Sequence, residues 1–330
     1  MTESEYSTIR PCAFEEHPLN HQDYLLPTDS ISFAWGELDK VLRRRSGGFI
    51  MWGYSRIGKS SAITYLMCQA QAKYKGLYAA LMDGTMKTYI SERDFFSTLC
   101  ESLGCATGGA AVECRRRAIK TLVSRGGRNV KRLFLLFIDE PQKWTDIHMQ
   151  WICEVYDKLE ENNIRLITVL VGQPALTSFR ETYIERKNIV IVDRLMKSAI
   201  QFRGIQSPDQ LRYVLSGYDT LAHDVPEWPF TRFFFPEAFA SGFRLEQYYE
   251  PIWDGFAAVI DLHGKFIEYW LPMKHITAMI ELLFLEYHHL DAVDFVIDRG
   301  LVDELVREVE FLLYLEMIDS SVEGEASGRR

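Results

Sequence analysis

The sequence predicts an α/β fold, in which a parallel β-sheet is flanked by helices and followed by a helical region. Three observations carry this prediction. A strand, a glycine-rich loop and a helix follow one another in GGFIMWGYSRIGKSSAITYLMCQAQAKYKG, residues 47–76. The run Leu133–Ile138 is almost continuously apolar, as expected of a parallel strand that is buried on both faces. From Gly255 onwards, apolar residues recur at helical spacing, through ITAMIELLFLEYHHL and VDELVREVEFLLYLEM.

The glycine-rich loop matches a phosphate-binding pattern. Gly53, Gly58, Lys59 and Ser60 fit G-x-x-x-x-G-K-[ST], between the apolar strand Phe49–Trp52 and a helix. In such a loop, backbone N–H groups turn onto phosphate oxygens, the lysine reaches the β- and γ-phosphates, and the serine holds Mg²⁺. We therefore expect ATP and Mg²⁺ as cofactors. The expected cofactor-binding residues are Gly53, Ser55, Arg56, Gly58, Lys59, Ser60, Ser61 and Asp139, of which Ser60 and Asp139 are the expected magnesium ligands.

The second apolar strand ends in two adjacent carboxylates, Asp139 and Glu140. At the carboxyl end of a strand beside the phosphate-binding loop, Asp139 is placed to position Mg²⁺ through water, and Glu140 is placed to activate the attacking water. The pair therefore indicates ATP hydrolysis rather than nucleotide binding alone, with Glu140 and Lys59 as catalytic residues. The alternative is an Asp-Glu pair that only caps a helix N-terminus.

A third apolar run, Leu166–Val171, stops at Gly172-Gln173-Pro174. A polar side chain at the end of this strand would lie between the two motif-bearing strands and near the γ-phosphate. We therefore expect Gln173 to act as a further catalytic residue that senses the γ-phosphate. The alternative is a loop glutamine that only satisfies backbone groups.

Composition and charge limit the function classes. The chain has 330 residues, 47% of them hydrophobic and 25% charged, with a net charge of −9. Residues 1–205 carry 28 Lys and Arg against 23 Asp and Glu, and residues 206–330 carry 9 against 23. This asymmetry predicts two surfaces with different partners; the alternative is an acidic region that only keeps the protein soluble. The sequence shows no membrane span and no secretory signal, and its six scattered cysteines favour reduced thiols in a cytoplasmic protein.

The motifs GYSRIGKSS, LLFIDEPQ, LVGQPAL and VDRLMKSAIQFRGIQSPDQL resemble, in this order, those of AAA+ ATPases. More narrowly, they are similar to those of the TniB/TnsC-type transposition regulators and the related ExeA-type ATPases. The resemblance covers residues 30–215, and it departs at Pro141, where many relatives have a small residue. It matches Lys59 and Ser60 to Walker A. It matches Asp139 and Glu140 to Walker B, and Gln173 to sensor I.

The resemblance implies a protein that binds ATP and assembles with copies of itself on double-stranded DNA, as a ring or helical filament. Such a protein presents target DNA to a transposase, works with a target-selecting adaptor protein, and is disassembled by ATP hydrolysis. AAA+ ATPases also complete their site with an arginine from the next subunit. The candidates are Arg180, Arg186, Arg194 and Arg203. We expect Arg194 to have this catalytic role; the alternative is a local Asp193–Arg194 pairing of little consequence.

A basic stretch precedes the strand that ends at Asp139. It reads CRRRAIKTLVSRGGRNVKR, residues 114–132, with eight cations and no acid. One helical face and the turn Gly126-Gly127 would present several of these cations together, which predicts contact with a DNA backbone without sequence preference. In the transposition regulators, loops ahead of Walker B line the DNA channel. The expected DNA-binding residues are Lys87, Arg117, Lys120, Arg125, Arg128 and Lys131. The alternative is a solvated helix face.

We expect four regions along the chain. They are an N-terminal extension (1–24) that could reach a neighbouring subunit, an AAA+ core (25–205), an α-helical lid with a C-terminal helical extension (206–318), and a disordered tail (319–330). The aromatic stretch Glu227–Trp253 is expected in the core of the lid, with an exposed partner surface as the alternative, and Lys265 is a weak candidate for a second nucleotide-sensing cation. The competing functions are an ExeA-like or signalling-type P-loop ATPase that acts on protein partners without DNA, and a nucleotide-gated scaffold that barely hydrolyses ATP.

Overall fold

The computed structural model describes residues 10–84, 89–222, 225–263 and 270–318. They form two compact units. Ser30–Arg203 is the first, which we name the sheet unit, and the described parts of Met1–Asp29 and Gly204–Arg330 make up the second, the helical unit. Lys87, Lys265 and the predicted tail at residues 319–330 lie outside the described residues.

In the described residues, five parallel strands form one sheet in the order β2-β3-β4-β1-β5. Their bounds are β1 Phe49–Trp52, β2 Tyr78–Asp83, β3 Leu133–Asp139, β4 Arg165–Gly172 and β5 Ser198–Gln201. The neighbouring strands β3 and β4 are buried almost throughout, because helices cover both of their faces. The predicted parallel sheet flanked by helices is confirmed, and the three strands predicted from apolar runs are β1, β3 and β4.

Helices pack on both faces of this sheet. Their bounds are α1 Asp29–Arg44, α2 Lys59–Lys73, α3 Glu92–Ser102, α4 Ala111–Gly126, α5 Asp146–Glu161, α6 Ala175–Glu185 and α7 Ile189–Leu195. Alternate residues of β3 point to opposite layers, so Phe134 packs with α3 to α7, and Leu135 packs with α1 and α2. Because all strands are parallel, their carboxyl ends form one edge of the sheet, the carboxyl edge, and their amino ends form the opposite amino edge.

The helical unit packs around aromatic side chains. Its helices are α8 Pro208–Thr220, α9 Phe230–Phe234, α10 Pro236–Ala240, α11 Tyr249–His263, α12 Met273–Glu286, α13 Arg299–Glu308 and a last helix at residues 311–318. Phe233, Phe234 and Phe235 are all buried in the core of this unit. Pro229 precedes α9 and Pro236 opens α10, so the chain turns between two short helices and buries successive rings. The aromatic stretch thus lies in a core rather than on an exposed surface.

The described N-terminal residues pack within the helical unit. His17 is buried, with its ring centroid 4.3 Å from that of Phe233. Arg10 donates a hydrogen bond to the carbonyl of Phe233 at 2.8 Å, and Tyr24 donates one to Glu281 at 2.7 Å. Residues 10–29 therefore lie against their own chain. Contact between this segment and a neighbouring subunit stays a prediction.

Charge separates the two units more sharply than it separates the two parts of the sequence. Ser30–Arg203 carries 27 Lys and Arg against 17 Asp and Glu, and the rest of the chain carries 10 against 29. A polyanion is therefore attracted to the sheet unit and repelled by the helical unit. Among the described helices, none is long and apolar enough to cross a bilayer.

Candidate nucleotide-binding site

The glycine-rich loop leaves β1 at the carboxyl edge and leads directly into α2. A Cβ atom on Gly53 would lie 2.4 Å from the carbonyl oxygen of Phe202, so only glycine fits where the loop begins. Gly58 has a φ of 97° just before the first residue of α2, a conformation that disfavours other residues. Arg56 also has a positive φ, 64°, and its side chain is exposed. The backbone of the loop therefore turns tightly, as phosphate binding requires, while the Arg56 side chain stays exposed.

Lys59 is the first residue of α2, and its amino group closes the loop. The Nζ atom donates hydrogen bonds to the carbonyls of Gly53 at 2.8 Å and Tyr54 at 2.6 Å. Burial lowers the pKa of Lys59, and the carboxylates of Glu140 and Asp139 oppose this shift. The ammonium group thus lies in a partly desolvated place beside two acids, where phosphate oxygens can replace the two carbonyls as its partners. The first-turn N–H groups of α2, including those of Ser60 and Ser61, have no intrahelical acceptors and add to this anion site.

Asp139 is the last residue of β3 and lies in register with Asp83 of β2 and Val171 of β4. Its pKa is raised by burial and by the neighbouring charges of Glu140 and Asp83, against the opposing effect of Lys59. The donor set suits Mg²⁺, a hard cation that one carboxylate, one hydroxyl and nucleotide phosphates commonly hold together. Within the described residues, no group of three or more His, Cys, Asp and Glu is arranged to hold a metal ion alone. Asp139 and Ser60 therefore fit a magnesium ion that arrives with the nucleotide.

The raised pKa of Asp139 gives the first prediction. Above its folded-state pKa the ionised side chain lowers stability, and this penalty disappears as the pH falls through that value towards about 3.9, the ordinary aspartate pKa. Asp139→Asn should therefore raise the free energy of unfolding of the nucleotide-free protein at neutral pH by about 0.5 to 1 kcal/mol, with a smaller gain in acid. The same variant should lose the Mg²⁺ dependence of nucleotide binding.

Urea unfolding across a pH series, with isothermal titration of nucleotide, measures both effects. Asp254→Asn, at an exposed position of α11, is the matched control and should change neither property. Lower stability of Asp139→Asn at neutral pH would show that the carboxylate is a structural partner rather than a strained ligand.

Glu140 follows Asp139 at a sharp turn of the backbone. Its φ is 56°, in the left-handed region, and its N–H donates to the carbonyl of Val171 at 2.7 Å. It precedes the short 3₁₀ turn Pro141–Lys143 and makes no side-chain capping bond to that turn. The alternative of a carboxylate that only caps a helix is therefore not what the structure forms. The side chain points instead to two glutamines.

Gln173 is one of these glutamines. It directly follows β4, which lies between β3 and β1, and its Nε2 atom lies 3.3 Å from Oε2 of Glu140. The structure thus brings the predicted sensing residue next to the predicted catalytic base. Its amide is placed to report a change at the γ-phosphate to Glu140, or the reverse.

Gln142 is the other glutamine, and sequence reasoning missed it. Its Nε2 atom donates to the same Oε2 atom of Glu140. Its Oε1 atom is buried without a partner among the described residues, and a Cβ on Gly172 would lie 2.4 Å from it. The carboxamide is therefore held between Glu140 and the end of β4. Its place two residues after Glu140 was visible in the sequence, but the left-handed turn that folds it back was not.

We predict that Gln142→Ala lowers kcat for ATP hydrolysis about tenfold and leaves KM for ATP unchanged, because the amide positions Glu140 without touching the nucleotide. Gly172→Ala should have the same kind of effect, since the added methyl group displaces the Gln142 amide. Steady-state kinetics separate kcat from KM. A change in KM as large as the change in kcat, or a loss of thermal stability, would assign Gln142 a structural role only.

Arg194 does not lie at this edge. It forms an ion pair with Asp157 at 2.8 Å and lies over the ring of Tyr156, 4.9 Å from its centroid. Asp193 pairs instead with Lys197 at 2.8 Å, so the alternative of a local Asp193–Arg194 pair is not formed. The carbonyl of Arg194 accepts from Gly48, just before β1, which puts this segment at the amino edge. Arg194 is therefore remote from the site of its own chain, and its action on a neighbouring subunit stays a prediction.

The other candidate arginines also have partners in their own chain. Arg180 donates to the carbonyls of Met196 and Lys197, and Arg186 pairs with Asp146 at 3.1 Å. Arg203 donates to Gln201 at 3.2 Å. All four candidates are therefore engaged by groups of their own chain, and the action of one of them on a neighbouring subunit stays a prediction.

The predicted DNA-binding residues have different surroundings. Arg117 donates to the carbonyls of Ala106 and Gly108 and so fixes the loop between α3 and α4. Arg125 and Lys131, by contrast, stack on tyrosine rings beside β2, and Lys120 and Arg128 are exposed. The carbonyls of one loop hold Arg117, and tyrosine rings at the amino edge hold Arg125 and Lys131, so DNA contact by the predicted residues stays a prediction.

No protein-family model matches the chain, and no curated protein matches it either. Solved structures do match. ORC2 of Aeropyrum pernix, in its ADPNP–ADP complexes, superposes with a TM-score of 0.61 at 14% identity, over 91% of this chain and 73% of that chain. Its ADP form gives 0.55 at 13% identity, over 88% and 72%. A Walker-type ATPase of Pyrococcus abyssi gives 0.52 at 11% identity, over 93% and 78%.

Identities this low establish shape rather than activity. The likeness extends over both units of the chain, and the sheet unit carries the glycine-rich loop and the paired carboxylates at the same carboxyl edge. The fold of this chain is therefore that of the AAA+ ATPases.

Proposed function

We propose that this chain is an ATP-dependent, DNA-binding AAA+ regulator of DNA transposition. It oligomerises on duplex target DNA in the cytoplasm, recruits a transposase with a target-selecting adaptor protein, and is disassembled by ATP hydrolysis. The proposal rests on the arrangement of side chains at the carboxyl edge of the sheet. There the partly buried Lys59 ammonium group lies beside Asp139 and Glu140, and Gln173 reaches the Glu140 carboxylate.

Each side chain at this edge has a distinct task in the proposed reaction. The loop N–H groups and Lys59 bind the β- and γ-phosphates and offset their charge. Asp139 and Ser60 would hold Mg²⁺, which would offset further charge at the phosphates. Glu140 accepts a proton from the attacking water as the bond from water to the γ-phosphorus forms and the bond to the bridging oxygen breaks, which releases ADP. Gln173 and Gln142 orient the Glu140 carboxylate for this transfer.

The transposition branch of the proposal is supported by the motif resemblance. The fold supports nucleotide binding, since the similar ORC2 structures hold ADPNP and ADP. The excess of cations in the sheet unit supports binding of DNA to that unit. Arg194 pairs with Asp157 at the amino edge, away from Glu140 of its own chain, which supports its action on the site of a neighbouring copy.

The rate of ATP hydrolysis with and without random-sequence duplex DNA tests this function, with electron microscopy of the same samples. The proposal predicts hydrolysis that DNA stimulates, and rings or filaments that form on DNA with ATP. Hydrolysis that DNA never changes, without assemblies on DNA, would contradict it.

The second candidate is an ExeA-like or signalling-type P-loop ATPase that acts on protein partners. One observation favours it: Arg117, Arg125 and Lys131 are engaged by groups of their own chain. This candidate predicts a protein partner whose binding depends on nucleotide. It also predicts a rate of ATP hydrolysis that DNA does not change.

A further inference from the structure

The amino edge of the sheet carries a basic strip on three successive connections. They are the end of α1 with the turn after it, the turn between α2 and β2, and the turn between α4 and β3. None of the segments 43–48, 73–77 and 125–132 contains Asp or Glu. The members of the basic strip are Arg43, Arg44, Arg45, Lys73, Lys75, Arg125, Arg128, Lys131 and Arg132.

Side-chain contacts join the three connections into one surface. Asp39 of α1 accepts from Arg43 at 3.0 Å and from Lys73 at 2.8 Å, which links α1 to α2. Lys131 lies 4.9 Å from the centroid of the Tyr74 ring, which links the end of α2 to the turn before β3. Arg125 lies 4.2 Å from the centroid of Tyr78 at the start of β2. The strip is therefore continuous across the three connections.

Favourable interactions between cations and the negative C-terminal ends of the helix dipoles do not account for every member of the basic strip. Cations in the last turn of a helix stabilise it by roughly 0.3–1 kcal/mol, and this explains Arg43, Lys73 and Arg125. Lys75 and Arg128, however, lie in turns beyond the helices. Both are exposed, and their side chains make no hydrogen bond or ion pair with any residue that the structure describes. Their charges are therefore available to a partner.

The surroundings of these cations indicate the class of partner. A stable protein interface has an apolar centre, whereas the large exposed apolar side chain in these segments is Val130 alone, at 98% exposure within the described residues. Single-stranded nucleic acid needs free aromatic faces for stacking, but Lys131 and Arg125 already lie over Tyr74 and Tyr78. A basic surface that has no apolar centre and no free aromatic faces suits the phosphate backbone of a duplex.

We propose that the basic strip at the amino edge is the surface that binds the phosphate backbone of duplex DNA. The inference rests on the proposed function, and it moves the DNA contact away from Arg117 and Lys120. β3 separates the strip from the nucleotide site, since Arg132 precedes its first residue and Asp139 is its last. Six residue steps at about 3.3 Å each give a separation of about 20 Å. DNA and ATP therefore bind at opposite edges and do not compete.

The test compares two double variants that each remove two exposed charges. Lys75→Gln with Arg128→Gln alters the strip, and Arg116→Gln with Lys120→Gln alters α4 as the matched control. Binding of a labelled random-sequence duplex is measured across a salt series with ATP and Mg²⁺. The strip variant should bind about tenfold more weakly, and the slope of log affinity against log salt should fall by about 2. The α4 variant should bind as the unaltered protein does, and both variants should keep its nucleotide affinity.

Several results would overturn the proposal that the basic strip binds duplex DNA. If only the α4 variant loses affinity, or if neither variant does, duplex DNA binds elsewhere on a protein whose proposed function still stands. If the strip variant binds DNA normally but no longer assembles in its absence, the strip is a surface for a second copy of the chain. If the unaltered protein binds no duplex in any nucleotide state at low salt, the proposed function fails together with the strip.

Discussion

Glu140→Gln is expected to lower kcat for ATP hydrolysis by about two to four orders of magnitude, the range that a general base commonly contributes. Nucleotide affinity should hardly change, because the amide keeps the shape of the side chain while it loses the ability to accept the proton. The contacts with Gln142 and Gln173 place the residue at the carboxyl edge but do not bind the nucleotide themselves. The ATP-bound state should therefore accumulate, and assemblies on DNA should persist after ATP addition.

Glu185→Gln, on the exposed side of α6, is the matched control and should hydrolyse ATP at the unaltered rate. Single-turnover hydrolysis and the lifetime of the DNA-bound assembly are the two measurements. Equal rates for Glu140→Gln and the unaltered protein would exclude Glu140 as the base and would favour the nucleotide-gated scaffold.

Lys59→Ala should weaken ATP binding about 100-fold, which corresponds to about 2.7 kcal/mol. The expected size follows from charge-assisted hydrogen bonds, which contribute about 1.5–3 kcal/mol each when the groups are partly desolvated. The Nζ atom donates hydrogen bonds to two carbonyls of the loop, and these bonds are exchanged for bonds to phosphate when ATP binds. Lys59→Ala cannot form the bonds to phosphate, and all ATP-dependent assembly should therefore disappear.

Isothermal titration with ATP and Mg²⁺ measures this loss. Lys158→Ala removes an equally charged but exposed side chain that pairs with Glu161, and it should bind ATP normally. Retention of full ATP affinity by Lys59→Ala would show that the loop does not cradle the phosphates.

Most of the site at the carboxyl edge could be predicted because its chemistry depends on short-range pattern. Phe49–Trp52 and Leu133–Asp139 are apolar runs that only a doubly covered parallel strand explains. The spacing of Gly53, Gly58 and Lys59 has few structural meanings other than a phosphate loop. Once β1 and β3 are recognised as strands of one parallel sheet, their carboxyl ends must meet at one edge, and Gln173 follows from the same argument.

What could not be predicted depends on side-chain partners that are distant in sequence. The positive φ of Glu140 turns Gln142 back onto the carboxylate, and no local signal marks that turn. Tyr78 and Tyr74 engage Arg125 and Lys131 because α2 ends and β2 begins close to the end of α4 and the turn that follows it. Residues 114–132 alone therefore could not show that Arg117 is held by the carbonyls of a loop and Arg125 by a tyrosine ring.

The packing of the N-terminal segment could not be predicted for a similar reason. Its sequence is short and polar, and it predicts only an extension at residues 1–24 that could reach a neighbouring subunit. His17 nevertheless fills a space among Phe230, Phe233 and Phe234 of the helical unit, more than 200 residues later. Contacts of such long sequence separation leave no trace in local periodicity.

The most direct test of the account is the binding of a labelled, random-sequence DNA duplex, followed by fluorescence anisotropy, with ATP and Mg²⁺, with ADP, and with the Lys59→Ala variant. The account predicts tight, salt-sensitive binding with ATP that is much weaker with ADP and in the variant. Absence of binding in every nucleotide state at low salt would contradict it and would leave an AAA+ fold that works on protein partners.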